Sequence, residues 1–200
     1  MSIPFELPEG AMNRIAIIGC GGSGKSTLAR RLGRKLQLPV HHLDRLYWQP
    51  GWTEPPGDEW RERQEHLCEG DEWIIDGDYC STMDIRLAAA DTIILLDLPR
   101  RACLMGALRR FLAFRGRTRP DMTEGCPERL DREYLKWIWN YRRDRRPATL
   151  EKLKELNGMK KTIRLTSRDE IEDFVGAAEI RPEAVPDGWG SCRQAGASDD

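Results

Sequence analysis

Arg14-Ile-Ala-Ile-Ile-Gly-Cys-Gly-Gly-Ser-Gly-Lys-Ser-Thr-Leu-Ala-Arg-Arg31 is the stretch on which the fold turns. Arg14 to Ile18 is a short apolar run rich in β-branched residues and reads as a buried strand. Gly19 to Ser26 fits G-x-x-x-x-G-K-[ST], the phosphate-binding loop pattern, or Walker A. From Thr27 on, Leu28, Leu32 and Leu36 form the apolar stripe of a helix. The bare pattern also arises by chance; a strand before it and a helix after it argue for the functional reading.

The chemistry needs these residue types at this spacing. Gly19, Gly21, Gly22 and Gly24 permit backbone angles and a close approach that a Cβ would forbid. With Ser23 between them, the loop's N–H groups form an anion nest at the positive end of the following helix. Lys25 is expected to bridge the β- and γ-phosphates of ATP. Ser26, followed by Thr27, is expected to ligate Mg²⁺ through its hydroxyl. Cys20 reads mainly as a small side chain, although a thiol near a helix N-terminus can have a lowered pKa.

Two hundred residues suit one domain, with 14–178 expected as its body, 1–13 as a loose lead-in and 179–200 as a flexible tail. A net charge of −1 argues against a generally basic nucleic-acid binder while leaving room for a local basic patch. Six cysteines, none in C-x-x-C spacing, suggest neither a zinc knuckle nor a redox pair. The start lacks a signal-peptide pattern and no apolar run approaches membrane-spanning length, so the expectation is a cytoplasmic protein.

Downstream of the loop, Val40 to Leu43 is expected as a second strand with Asp44 at its end. Ligands in open α/β sheets gather outside the carboxyl ends of strands, so Asp44 is a candidate base for an acceptor hydroxyl. Holding a group bound to the metal and capping the next helix are its other readings. His41 and His42 face opposite ways in a strand, and neither is assigned to chemistry. The turn Tyr47-Trp-Gln-Pro-Gly-Trp52 either lines an acceptor pocket, with Trp48 as its contact, or covers the core edge. Trp73-Ile-Ile-Asp-Gly-Asp-Tyr79 is a third strand running into a turn. Asp76 is the candidate for holding magnesium's waters, and Asp78 is an alternative that turn chemistry also explains. Arg86, in a short helix over 82–90, either reaches the acceptor or is plain surface charge.

Asp91 to Leu98 reads as a buried strand, and Pro99 opens a helix to about Phe114. Residues 100–146 then hold thirteen Arg and one Lys against six acids. Within them, a glycine- and proline-broken segment at about 115–132 carries Arg115, Arg117 and Arg119. It reads as a lid whose arginines clamp the transferred phosphoryl group and exclude water. A solvated basic face is the alternative. Arg142, Arg143, Arg145 and Arg146 face the phosphates or form a helix surface. Lys160 to Leu165 is a fifth strand, and the turn after it places Ser167 and Arg168 where an adenine base would sit, with Thr166 to Glu170 also capping a last helix.

The chain resembles the DNA topology modulation proteins, also described as flagellar-regulation-related, which are small adenylate-kinase-like P-loop proteins. The resemblance rests on Ile17 to Thr27, His42 to Trp52, Trp73 to Tyr79, Arg115 to Met122, Gly125 to Arg129 and Leu135 to Asn140. It implies an α/β, three-layer P-loop NTPase fold: a five-stranded parallel sheet in order 2-3-1-4-5, helices on both faces, and an Arg-rich helical lid. Asp76-Gly-Asp-Tyr79 is similar to the Asp-Gly-Phe-Pro-Arg turn of adenylate kinases, but the Phe-Pro-Arg part is missing. Of the four lid cysteines of zinc-bearing adenylate kinases only Cys126 is present. The expected activity is an ATP- and Mg²⁺-dependent kinase (phosphotransferase) acting on a small molecule or nucleotide. The alternatives are a nucleotide-dependent DNA-binding regulator and an ATPase without an acceptor.

Overall fold

The computed structural model describes residues 12–178. The expected tail and all of the lead-in except Met12 and Asn13 lie outside them. In chain order the elements are β1 (Arg14–Gly19), α1 (Lys25–Leu36), β2 (Val40–His42), α2 (Leu43–Tyr47), α3 (Gly57–Cys68), β3 (Trp73–Asp76), α4 (Met83–Ala89), β4 (Thr92–Leu96), α5 (Arg100–Phe114), α6 (Arg132–Asp144), α7 (Arg146–Leu156), β5 (Lys161–Leu165) and α8 (Arg168–Ala177). A single 3-10 turn, Cys80–Thr82, precedes α4.

The five strands pair in parallel in the order β2-β3-β1-β4-β5. This is a three-layer α/β/α P-loop fold. Successive side chains of a strand point to opposite faces, so the central strand β1 must be apolar on both. Ile15 and Ile17 join Leu28 and Leu32 of α1, Ala107 of α5, Ile138 of α6 and Phe174 of α8 in one core. Ala16 and Ile18 join Leu43 of α2, Trp60 of α3, Met83 and Leu87 of α4 and Leu153 of α7 in the other. The register places Asp76 beside Ile17 on one side and His42 on the other, which brings three strand ends together at the carboxyl edge of the sheet.

One expectation changes here. The second strand stops at His42, and Asp44 sits in the first turn of α2 rather than at a strand end. The segment between α5 and α6 is pinned by backbone and side-chain hydrogen bonds. Glu128 N–H donates to the Arg117 carbonyl at 2.9 Å and closes the segment at its base. Gly51 N–H to Gly125 O (3.1 Å) and Thr123 Oγ1 to Arg45 O (2.6 Å) hold it against the aromatic turn after α2.

Candidate active site

The phosphate loop leaves β1 at Gly19 with a φ of 135°, and Gly22 and Gly24 also have positive φ, at 73° and 102°. Side chains are excluded by the surroundings as well. A Cβ on Gly19 would stand 2.5 Å from the Leu96 carbonyl, and one on Gly22 would stand 2.2 Å from that of Cys103 in α5. The start of the loop is tied down by Asp78, whose Oδ1 accepts from Gly19 N–H at 3.3 Å and from the Tyr141 hydroxyl at 3.0 Å. Asp78, the weaker metal candidate, thus anchors the loop.

Lys25 donates to the carbonyls of Gly19 (2.7 Å) and Cys20 (2.9 Å), so its ammonium lies across the loop. Ser26 Oγ donates to Asp76 Oδ2 at 2.7 Å, and Asp76 Oδ1 lies 2.5 Å from His42 Nδ1. His42, assigned no role from the sequence, therefore fixes the carboxylate that faces the loop. Ser23 is fully buried, with no partner for its hydroxyl among the described residues. Cys20 is buried, and contact with the Cys103 thiol and burial push its pKa up, against the lowered value a helix N-terminus can produce.

A cavity of about 1200 Å³ opens over this loop. That exceeds the roughly 300–1,000 Å³ of a typical small-molecule pocket and leaves room for a nucleotide and a second ligand. Gly21, Gly22, Gly24, Lys25, Ser26 and Thr27 line one end, with Arg168 laid across Gly24. Asp44, Trp48, Asp76 and Arg119 are among the residues lining the rest, with Tyr47 and Trp52 beside Trp48 and Tyr79 beside Tyr47. The aromatic rings meet edge to face or tilted, at centroid separations of 4.7–5.2 Å, and Trp60 completes the cluster from the core side.

Asp44 accepts from the Tyr79 hydroxyl at 2.9 Å and pairs with Arg119. Arg119, only 4% exposed, also meets Asp121 and Glu128 at 3.3 Å each. Asp121 in turn pairs with Arg30 of α1 and Glu128 with Arg110 of α5. Burial works against the Asp121 carboxylate, yet Arg119 and Arg30 hold it below the ordinary range. Burial likewise works against Arg110, but the Tyr134 and Glu128 oxygens hold its guanidinium more firmly charged than usual. The result is one ion-pair network joining α1, α2, the inter-helix segment and α5.

Four expected residues fall elsewhere. Arg115 and Arg117 are exposed and do not line the cavity, because the closed base of the segment turns them to solvent. Arg86 neither reaches an acceptor nor lies on the surface. It is fully buried beneath the Asp76-Gly-Asp78 turn, donating to Gln64 Oε1 (2.9 Å), Gly77 O (3.0 Å) and Asp78 O (2.8 Å). Burial pulls its pKa down to about 10. Ser167 is the N-cap of α8, accepting from Glu170 N–H at 3.1 Å, and does not line the cavity. Arg146 is committed to Asp97, and Arg142 and Arg143 are exposed. Of those four only Arg145 reaches the cavity wall.

Sequence reading missed His42, Arg110, Tyr134 and Gly106. Only Gly106 carries a local signal, a glycine interrupting an apolar helix, which often marks close backbone approach. A Cβ there would stand 2.0 Å from the Gly22 carbonyl.

The oxygen chemistry at Ser26 and Asp76 fits Mg²⁺, which takes hard oxygen ligands, keeps several waters and is held by one or two protein groups together with substrate phosphates. Among the described residues no group of three or more His, Cys, Asp or Glu side chains is placed to hold a metal ion. No described helix is long and apolar enough to cross a membrane.

No protein-family model matches the chain, and no curated protein matches it. Among solved structures it is similar to shikimate kinase from Acinetobacter baumannii in complex with shikimate, with 16% identity over 82% of this chain and 89% of that one, at a TM-score of 0.55. It also matches an unliganded sugar kinase from a Janibacter species, with 16% identity over 83% of this chain and 91% of that one, at 0.47. A gluconokinase from Sinorhizobium meliloti matches with 15% identity over 82% and 90%, at 0.47. The likeness to the shikimate kinase structure shows a shared fold.

Proposed function

We propose that this protein is an ATP- and Mg²⁺-dependent phosphotransferase acting on a hydroxyl of a small molecule. One observation carries the reading: the phosphate loop, the Ser26–Asp76 pair and the Asp44–Arg119 pair all face a single cavity large enough for donor and acceptor. The fold shared with a shikimate kinase, a small-molecule kinase by its name, points the same way.

In this reading the loop N–H groups and Lys25 bind the polyphosphate, and Arg168, lying across Gly24, borders the nucleotide. Ser26 and Asp76 would hold Mg²⁺, which when bound neutralises charge on the β- and γ-phosphates. Asp44 accepts the acceptor's proton as the acceptor oxygen bonds to the γ-phosphorus and the bond to the departing ADP oxygen breaks, and Arg119 and Tyr79 orient Asp44. Trp48 supplies an apolar wall for the acceptor. Residues 14–178 form the catalytic domain, and the segment at about 115–132 acts as its lid through Arg119 rather than Arg115 and Arg117. The likeness to DNA topology modulation proteins in the lid and Trp137-Ile-Trp139 stretches belongs to the same reading. The alternative of a DNA-binding regulator draws on the arginines of residues 100–146, but Arg110, Arg119 and Arg146 are already paired to carboxylates.

The test is a small-molecule library screened with magnesium ATP for acceptor-dependent ADP formation, beside calorimetry with ATP, GTP and their diphosphates. Acceptor-stimulated turnover is expected. No heat with any of these nucleotides in the presence of magnesium overturns the reading.

A further inference from the structure

One face of α6 runs along the phosphate loop. Residues 134, 137, 138 and 141 recur at helical spacing, and each meets the loop or its anchor. A Cβ on Gly21 would stand 2.3 Å from the Tyr134 hydroxyl and 3.0 Å from the Trp137 ring. The Ile138 carbonyl accepts weakly from the Cys20 thiol at 3.9 Å. The Tyr141 hydroxyl bonds the same Asp78 oxygen that holds Gly19 N–H. Tyr134 and Trp137, with ring planes 11° apart, also line the cavity.

Tyr134 is held by more than packing. Arg110 Nη2 donates to its hydroxyl oxygen at 3.2 Å, and the guanidinium carbon stands 5.6 Å from the ring centroid. Arg110 Nε is fixed by Glu128 at 2.8 Å. A phenol that accepts from a cation becomes a better donor through its own O–H. Among the described residues nothing accepts that proton. The arrangement is an oriented donor at the mouth of an anion-binding loop, backed by a positive charge.

We propose that Tyr134 is a catalytic residue whose hydroxyl donates to an oxygen of the terminal phosphoryl group of a nucleoside triphosphate seated on the loop. The proposal rests on the phosphate-loop reading above and deepens it. Its place on α6, directly after the inter-helix segment, links that donor to the acceptor wall through Arg110, Glu128 and Arg119. A donor aimed where charge spreads during transfer acts on the transition state as well as on binding.

The experiment uses the full chain carrying Tyr134→Phe, which keeps the ring and its stacking on Trp137. Magnesium ATP and magnesium ADP affinities are measured by calorimetry, and kcat by steady-state turnover with the acceptor found above. Loss of one hydrogen bond to a charged group should weaken ATP about tenfold, leave ADP within about twofold and lower kcat. Equal weakening of both nucleotides, or no weakening of either, overturns the role of Tyr134 and leaves the phosphate-loop reading intact. Failure of the wild-type protein to bind either nucleotide overturns that reading, and the proposal with it.

Discussion

Asp44 in the first turn of α2 is ion-paired to Arg119 of the segment between α5 and α6, across a sequence separation of 75 residues. The pair has consequences for both partners. Asp44→Asn keeps the shape and the Tyr79 contact but removes the basic carboxylate. If the acceptor presents a hydroxyl, turnover should fall by roughly 10²–10⁴-fold with nucleotide affinity unchanged. Near-full turnover of the variant on the true acceptor would remove Asp44 from the chemistry.

Arg119→Met leaves Asp44, Asp121 and Glu128 without their shared cation, though Arg30 and Arg110 still serve two of them. Breaking a buried pair costs about 3–5 kcal/mol, and this residual pairing places the expected loss at the lower end. Arg117→Ala, at an exposed position, should stay within about 0.5 kcal/mol of wild type. Urea unfolding of the two variants side by side checks the contrast, and comparable losses would contradict it.

Arg86 is a structural cation. Arg86→Met leaves Gln64 and the carbonyls of Gly77 and Asp78 without its hydrogen bonds in a fully buried place. A loss of at least about 3 kcal/mol is expected. An unchanged melting temperature with a raised acceptor KM would instead return Arg86 to the acceptor site.

Gly106→Ala sets a methyl 2.0 Å from the Gly22 carbonyl, backbone against side chain with no flexible end to yield. The loop must shift, and nucleotide affinity should drop at least about tenfold, equivalent to roughly 1.4 kcal/mol. Gly57→Ala is the control. A Cβ there meets nothing within 4 Å, and alanine should be neutral or slightly stabilising, by up to about 1 kcal/mol. Equal nucleotide binding by the two variants would show that α5 does not brace the loop.

Asp97, just beyond β4, receives two bonds from Arg146 of α7, at 2.7 and 2.8 Å, and a 2.8 Å bond from Arg164 Nε of β5. Burial raises its pKa, but the two arginines lower it further, and the net is below the ordinary 3.8. A carboxylate with a depressed folded-state pKa contributes stability that is fully present above its unfolded value and lost as pH falls through the folded one. Stability should therefore decline with acid below about pH 4, and Asp97→Asn should flatten that decline while lowering stability at neutral pH. Chemical denaturation at a series of pH values reads both effects. An equally steep acid decline in the variant would assign the titration to another carboxylate.

The amino-acid sequence by itself determined the phosphate loop, the five strands and most of the helices between them, though not α2. Each is written locally: a β-branched apolar run, a glycine-lysine pattern, a helical stripe. It also marked Ser26, Asp76 and Trp48, because strand ends and turns announce themselves within a few residues, and Asp44 for a strand end that the fold replaces with the first turn of α2. Only the tertiary structure decided which cations meet the cavity. Arg115, Arg117 and Arg119 are indistinguishable as a charged run, yet backbone closure at Glu128 turns the first two to solvent and buries the third. Likewise Arg86 reads as an acceptor contact or a surface charge until α3 and the Asp-Gly-Asp turn enclose it, and His42 and Tyr134 find their hydrogen-bond partners only through folding. Periodicity shows which way a side chain faces along its own element, whereas an ion pair or a hydrogen bond depends on a partner supplied by another one.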